Sequence, residues 1–205
     1  MFNVYEVNDW KEAERFLEKQ KFEIVEGIFV NSVLGVKKAL KKIGLPCVLK
    51  ASGSKIIHKH DIDGVKMNIQ TLSEAIYEFK NLKSIKGVSE VLIQKPFSGK
   101  EFLIGIKKTP EFEHVLVFGS GGTKVEIKKD VAFRICPVDK KEIKSMIKET
   151  KIGRRLPKKS KEILEDHLMA VCKLTRLFPK IRELDMNPFT IAKAQGKVVD
   201  ARIVF

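Results

Sequence analysis

Between Glu90 and Ile135 four apolar, strand-like runs follow one another, EVLIQKPF, EFLIGIKK, HVLVFGSGG and KVEIKKDVAFRI, with links too short to hold a helix. Parallel neighbours need a crossover of about a dozen residues, so runs joined this closely must pair antiparallel. The half of the chain before them reads differently, as alternating helix and strand. WKEAERFLEKQ carries apolar residues at helical spacing, with Asp9 placed to cap it and Glu12 to reach back. EIVEGIFV then reads as a strand, SVLGVKKALKKIG as a helix ended by Gly44, and Pro46 launches the strand CVLKA. GVKMNIQ follows as a strand and TLSEAIYEFKNL as a helix, with Thr71 and Glu74 spaced as a capping box. Beyond the four runs, helices are expected from about Asp139 and about Lys158, then the terminal strands IRELDMNPFTIA and KVVDARIVF. The pattern predicts an α+β fold of two lobes with a cleft between a mixed lobe and a more antiparallel one.

A chain of 205 residues, 43% of them apolar, can bury a core on that scale. No apolar run approaches the roughly 20 residues that span a bilayer, and the start MFNVYEVNDW lacks the pattern of a secretory signal. A cytoplasmic protein without a membrane partner is therefore expected. Cys47, Cys136 and Cys172 are far apart and never form a C-x-x-C pair, so they read as small buried hydrophobes in a reducing compartment. The formal charge of +14 raises the question of nucleic acid. Its distribution argues against that partner. Lysines alternate with glutamates along helical stretches, as solvated faces do, and only KIGRRLPKKSK is a dense basic run.

Three features carry possible chemistry. FGSGGTK lacks Walker spacing and precedes an alternating, strand-like run, so its glycines read first as a tight turn. ELDMNP sets Asp185 and Asn187 two apart on one strand face, and Asp200 follows in VVDARI. If the strands pair, three hard oxygen donors converge, as a site for Mg²⁺ shared with nucleotide phosphates requires; otherwise they are a turn and two surface acids. IIHKHDIDGVK gathers His58, His60, Asp61 and Asp63. A transition-metal site there would need ligands from a second segment, which His114 and His167 do not offer by pattern, and DIDG lacks the later acids of a calcium loop.

Taken in order, GLPCVLKASGSKIIHKHDIDGVKMNI, VLIQKPFSGKEFLIGI, VLVFGSGGTKVEIKKDVAFRICPV, ELDMNPF and VVDARI resemble the ATP-grasp β subunit of ADP-forming acyl-CoA (acetyl-CoA) synthetases, relatives of succinyl-CoA synthetase. The resemblance runs from about Ala13 to the end. It implies an ATP-grasp fold over residues 1–205, with 22–95 as a smaller nucleotide-clasping lobe and 1–21 plus 96–205 as a larger one. It implies ATP or ADP as substrate, Mg²⁺ as cofactor, and a CoA-binding α subunit as partner in an α2β2 assembly. By position, Lys50 and Gly53 would meet the nucleotide, Lys50 at its phosphates. Gln94 and Lys95 would border the adenine, and Glu101 would accept from the ribose. Asp185, Asn187 and Asp200 would hold Mg²⁺. Glu126 and Arg134 would line the phosphate-transfer site.

His58 matches the histidine that the family phosphorylates, and a neutral imidazole is nucleophilic near pH 7. Glycines at Gly53 and Gly64 would let its loop swing between sites. The departures are His60 for the family's usual serine, Asp63-Gly64 for its glycine pair, Lys95 for a frequent acid and Lys124 for a frequent aromatic. Two alternatives stay open from the residues: an ATP-grasp ligase of another class that needs no phosphohistidine, and a non-catalytic nucleotide-binding relative.

Overall fold

Both edges of the strand Glu90–Gln94 are occupied, and that fact divides the molecule. The computed structural model describes residues 10–53, 63–122 and 130–205, so the expected Asp9 cap, His58, His60, Asp61, Lys124 and Glu126 lie outside the described residues. The chain forms two compact units, one of Asn8–Phe16 and Ile24–Phe97, the other of Met1–Val7, Leu17–Glu23 and Ser98–Phe205. Helix α1 (Trp10–Lys19) contributes residues to both.

The first unit holds β1 (Gly27–Val30), α2 (Val33–Ile43), β2 (Cys47–Ser52), β3 (Val65–Ile69), α3 (Leu72–Ser84) and β4 (Glu90–Gln94). Its antiparallel sheet has the order β1-β4-β2-β3. Along β2, Cys47, Leu49 and Ala51 join a core with Val36, Ala39 and Ile43 of α2 and Ala75, Phe79 and Leu82 of α3. Val48, Lys50 and Ser52 alternate to the opposite face, and every residue of β2 is buried. The ends of α2 are set locally. Ser32 Oγ accepts from the Gly35 N–H at 3.2 Å, and Gly44, at φ +82°, donates its N–H to Leu40 O at 2.9 Å. At α3 the Thr71 hydroxyl caps the Glu74 N–H at 3.1 Å, but the Glu74 carboxylate accepts from Gln70 rather than from Thr71.

The second unit holds β5 (Lys100–Thr109), β6 (Glu113–Ser120), β7 (Val131–Ile135), α4 (Lys140–Glu149), α5 (Lys151–Arg154), α6 (Lys158–Leu177), β8 (Glu183–Ala192), β9 (Gln195–Val198) and β10 (Ala201–Val204). Its antiparallel sheet runs β10-β8-β5-β6-β7, with β9 also paired to β8. One face carries Phe102, Ile104, Ile106, Leu116, Phe118, Leu184, Met186 and Phe189, all buried. The apolar sides of α4 and α6 pack against this sheet, and the rings of Phe102 and Phe118 stack with centroids 5.9 Å apart.

The β5-β6-β7 meander follows the antiparallel expectation, but β4 does not join it. A strand has two edges, and those of β4 are taken by β1 and β2, so Ser98-Gly99 passes the chain into the second unit instead of turning a hairpin. Likewise, the predicted strand EIVEGIFV is shortened to Gly27–Val30, because Glu23 O accepts from Val198 N–H in the second unit at 2.8 Å. Ahead of α4 the capping box is complete: Asp139 accepts from the Glu142 N–H and Glu142 from the Asp139 N–H, each at 2.8 Å. Asp139→Ala is expected to lower stability by about 1 kcal/mol, read by urea unfolding.

Candidate functional site

Pairing and alternation decide which side chains share a sheet face. Asp185 on β8 stands opposite Gly105 on β5 and Arg202 on β10, and Asn187 lies two residues further along the same face. The Asn187 N–H donates to Asp200 O at 3.0 Å, so Asp200, in the short link before β10, is its backbone neighbour. The pairing on which convergence of Asp185, Asn187 and Asp200 depended is therefore present.

Glu101 reaches the same region from β5. The Gly121 N–H donates to Glu101 O at 3.0 Å, and the Gly122 N–H donates to Asn187 Oδ1 at 2.9 Å. Gly122 sits at φ +86°, and a Cβ there would lie 2.3 Å from Glu101 Oε2. The glycines of FGSGG thus serve close approach more than a tight turn. A Cβ at Gly119 would meet Asp130 O at 2.3 Å, and one at Gly121 the Phe102 carbonyl carbon at 2.4 Å. Together they deliver one backbone N–H to Asn187 beside the Glu101 carboxylate.

Asp185 is electrostatically unsettled. Burial first, and then Glu183 and Asp200, push its carboxyl up to about 6, with Arg202 opposing. Its Oδ1 is buried without a hydrogen-bond partner. A cation would relieve both conditions. Two carboxylates and an amide oxygen that still has a lone pair form a donor set suited to a hard divalent ion. Among the described residues no three His, Cys, Asp or Glu side chains are grouped to hold a metal. The set therefore suits an ion whose remaining ligands come from phosphates and water.

The other expected residues divide between the units. In the first, Lys50 and Gln94 share the sheet face opposite α2 and α3, since Gln94 pairs with Val48 two residues before Lys50. They are only 6% and 1% exposed, and Gln94 Nε2 donates to Val25 O at 3.4 Å. Lys95 is exposed, its ammonium 2.6 Å from Glu26. Gly53 is buried, and a Cβ there would lie 2.2 Å from Gly87 O. In the second unit, the structure does not bring Arg134 to the Asp185 face. Alternation along β7 sets Arg134 opposite the buried Leu116, on the side covered by helices, where its guanidinium donates to Glu149 Oε2 on α4 at 2.9 Å. His114 and His167 are structural: His114 Nε2 contacts Ile181 O at 2.8 Å and His167 Nδ1 contacts Ile163 O at 2.7 Å.

Asp130 escaped the reading of the sequence. Burial raises its carboxyl, but donors from the Lys151 N–H, the Ile152 N–H and the Ser120 hydroxyl outweigh that and hold it below the usual carboxylate range. The Ser120 N–H also donates to Asp130 O at 3.0 Å, so the two residues join the ends that flank 123–129. The available signal was an acid immediately before VAFRI, following a glycine run.

The ATP-grasp domain family matches residues 6–205. The acetate-CoA ligase (ADP-forming) II subunit beta of Pyrococcus furiosus is 34% identical over 212 residues, covering 94% of this chain and 89% of its own length. The acetate-CoA ligase (ADP-forming) I of Archaeoglobus fulgidus is 34% identical over 203 residues, which is 92% of this chain but 29% of that ligase. The chain thus spans less than a third of the length of that relative. Among solved structures, the dinucleotide forming acetyl-coenzyme A synthetase 1 of Ca. Korarchaeum cryptofilum, in complex with coenzyme A and Ca-AMPCP, superposes with a TM-score of 0.88 at 27% identity, covering 99% of this chain and 95% of that one. Another structure of that synthetase, with coenzyme A and Mg-AMPPCP, has its phosphohistidine segment pointing towards the nucleotide binding site; its TM-score is 0.77 at 27% identity, over 97% of this chain and 93% of that one. Among the described residues no helix is long and apolar enough to cross a membrane. The chain belongs to the ATP-grasp family, and within it to the β-type domains of ADP-forming acyl-CoA synthetases.

Proposed function

We propose that this chain is the nucleotide-binding β subunit of an ADP-forming acyl-CoA synthetase and moves a phosphoryl group between His58 and a Mg²⁺-bound adenine nucleotide. The observation that carries the reading is the half-buried Asp185, one carboxylate oxygen of which is buried without a donor while Asp200 stands near, in a chain similar to a ligase β subunit. Asp185, Asn187 and Asp200 hold the metal. When bound, Mg²⁺ would neutralise the phosphates and fix their orientation. Glu101 accepts from the ribose, Gln94 and Lys95 border the adenine, and Lys50, beside Gly53, meets the phosphates. Glu126 lines the transfer site. Arg134, already paired with Glu149, takes no share.

In the direction that makes ATP, an oxygen of the ADP β-phosphate attacks the phosphorus carried by His58. The new O–P bond forms as the N–P bond breaks, and the imidazole leaves as a neutral base or takes a proton from water. In reverse, the His58 nitrogen attacks the γ-phosphorus of ATP. The phosphohistidine segment of the Korarchaeum synthetase, pointing towards its nucleotide site, supports this route. The full reaction, acyl-CoA with ADP and phosphate giving carboxylic acid, CoA and ATP, also requires CoA chemistry. A CoA-binding α subunit would supply it, in an α2β2 assembly; the relative named subunit beta and the much longer Archaeoglobus ligase support a partner of that kind.

The binding half of the proposal is tested by calorimetric titration of the purified chain with ADP, with Mg²⁺ and with EDTA. Removing the metal is expected to weaken ADP binding tenfold or more, equivalent to about 1.4 kcal/mol. Equal affinity under both conditions, or no binding under either, would contradict it.

A further inference from the structure

We propose that Cys136 and Cys172 form a dithiol modification site that a peroxide closes to an intramolecular disulfide. Thirty-six positions separate the two residues in sequence, yet their Sγ atoms are 2.8 Å apart. The fold brings them together because Cys136 directly follows β7, where its N–H donates to His114 O at 2.9 Å, while Cys172 lies within α6, which packs on the same sheet. Cys136 is half-buried and Cys172 buried, so a small oxidant can reach the pair from the Cys136 side.

The chemistry of the pair is asymmetric. The hydrogen bond shared with Cys136, helped by the Val138 N–H, pulls the Cys172 thiol down, although burial opposes this. The same shared proton, together with burial, pushes Cys136 up. The two sulphurs share a proton across the 2.8 Å contact, with the greater thiolate character on Cys172. The Cys172 thiolate attacks one oxygen of hydrogen peroxide, breaking the O–O bond and giving a sulfenic acid and hydroxide. The Cys136 sulphur then displaces the sulfenic oxygen, which leaves as water when protonated. Two thiols are oxidised, one peroxide is reduced, and two waters form.

Cys47 provides an internal control. Burial first, and then Glu74, push its thiol up to about 11, and it has no thiol partner, so it remains reduced. The pair lies between the sheet and its covering helices, on the side away from Asp185, so closure does not depend on the nucleotide-site proposal and is expected to leave ADP binding unchanged.

The test is mild hydrogen peroxide treatment of the folded full chain, followed by thiol titration, intact mass and peptide mapping. Titratable thiols are expected to fall from three to one, with the mass lower by about two hydrogens, a Cys136-Cys172 cross-linked peptide, and full reversal by dithiothreitol. The Cys47→Ser protein is expected to lose both of its thiols, and Cys136→Ser and Cys172→Ser to form no cross-link. Should either of the last two fail to fold, the Cys47→Ser protein decides alone. Retention of all thiols, oxygen addition without a cross-link, or a cross-link through Cys47 or between molecules would overturn the proposal.

Discussion

Asp185→Asn is expected to raise the stability of the metal-free protein at pH 7 while weakening Mg²⁺-dependent ADP binding tenfold or more. The stability effect follows from the raised carboxyl. An ordinary aspartate titrates near 4 and Asp185 at about 6. Below pH 4 both folded and unfolded chains hold the proton, and the residue is neutral in its effect. Between pH 4 and 6 the folded state keeps a proton that the unfolded state has lost, so stability falls as pH rises; above 6 the whole cost of the buried charge is present. Asparagine keeps the shape without the charge. Its advantage should be on the order of 2 kcal/mol at pH 7, since a shift of about two pH units is an upper bound for a group with some solvent contact, and should vanish at pH 4. Urea unfolding at the two pH values measures it. Binding moves the other way, because the neutral amide removes one of two carboxylate ligands. A variant less stable than the parent at pH 7, or one that binds Mg·ADP normally, would show that Asp185 is a structural residue.

Gly122→Ala is expected to weaken ADP binding by ten- to a hundredfold with a smaller effect on the fold. A residue with a Cβ at φ +86° costs about 1–2 kcal/mol. The larger consequence is local, since the new methyl would sit 2.3 Å from Glu101 Oε2. Glu101 is exposed, so its long side chain has room to swing aside and spare the fold, but it then leaves the proposed ribose contact. A hydrogen bond to a charged group is worth about 1.5–3 kcal/mol, which sets the expected loss. Gly44→Ala is the control, because Gly44 has nearly the same φ of +82° and nothing within 4 Å of an added Cβ. It should lose stability, since its ψ of −178° also favours glycine, and leave binding unchanged. Equal ADP affinity for Gly122→Ala and the parent would remove Glu101 and its neighbour from the site.

Local signals in the sequence carried far where a single element decided the outcome. Gly44 ended its helix, Thr71 capped the next, and the short link between β5 and β6 enforced antiparallel pairing. Alternation alone put Asp185 and Asn187 on one face, and the β8-β10 pairing brought Asp200 to them. The misses are those that depend on partners distant in sequence. Nothing in EVLIQ announces that both edges of β4 are filled, so the short Ser98-Gly99 link resembled a hairpin. Arg134 was legible as a charge in an apolar run, but which face of an edge strand it occupies depends on the register with β6 and on Glu149, fifteen residues away. Cys136 and Cys172 looked unrelated because only the packing of α6 on the sheet makes them neighbours. The glycine run resembled a turn because sequence does not reveal how closely another backbone approaches.

The most direct measurement is transfer of label from γ-phosphate-labelled ATP, with Mg²⁺, to the purified chain and to His58→Asn. Acid-labile, base-stable label on the wild type and none on the variant is the expected result, since a phosphoryl group on an imidazole nitrogen has that stability. Equal labelling of the two proteins, or no label on a wild-type chain shown by titration to bind ATP, would contradict the relay through His58 and leave a ligase that transfers phosphate directly or a protein that only binds nucleotide.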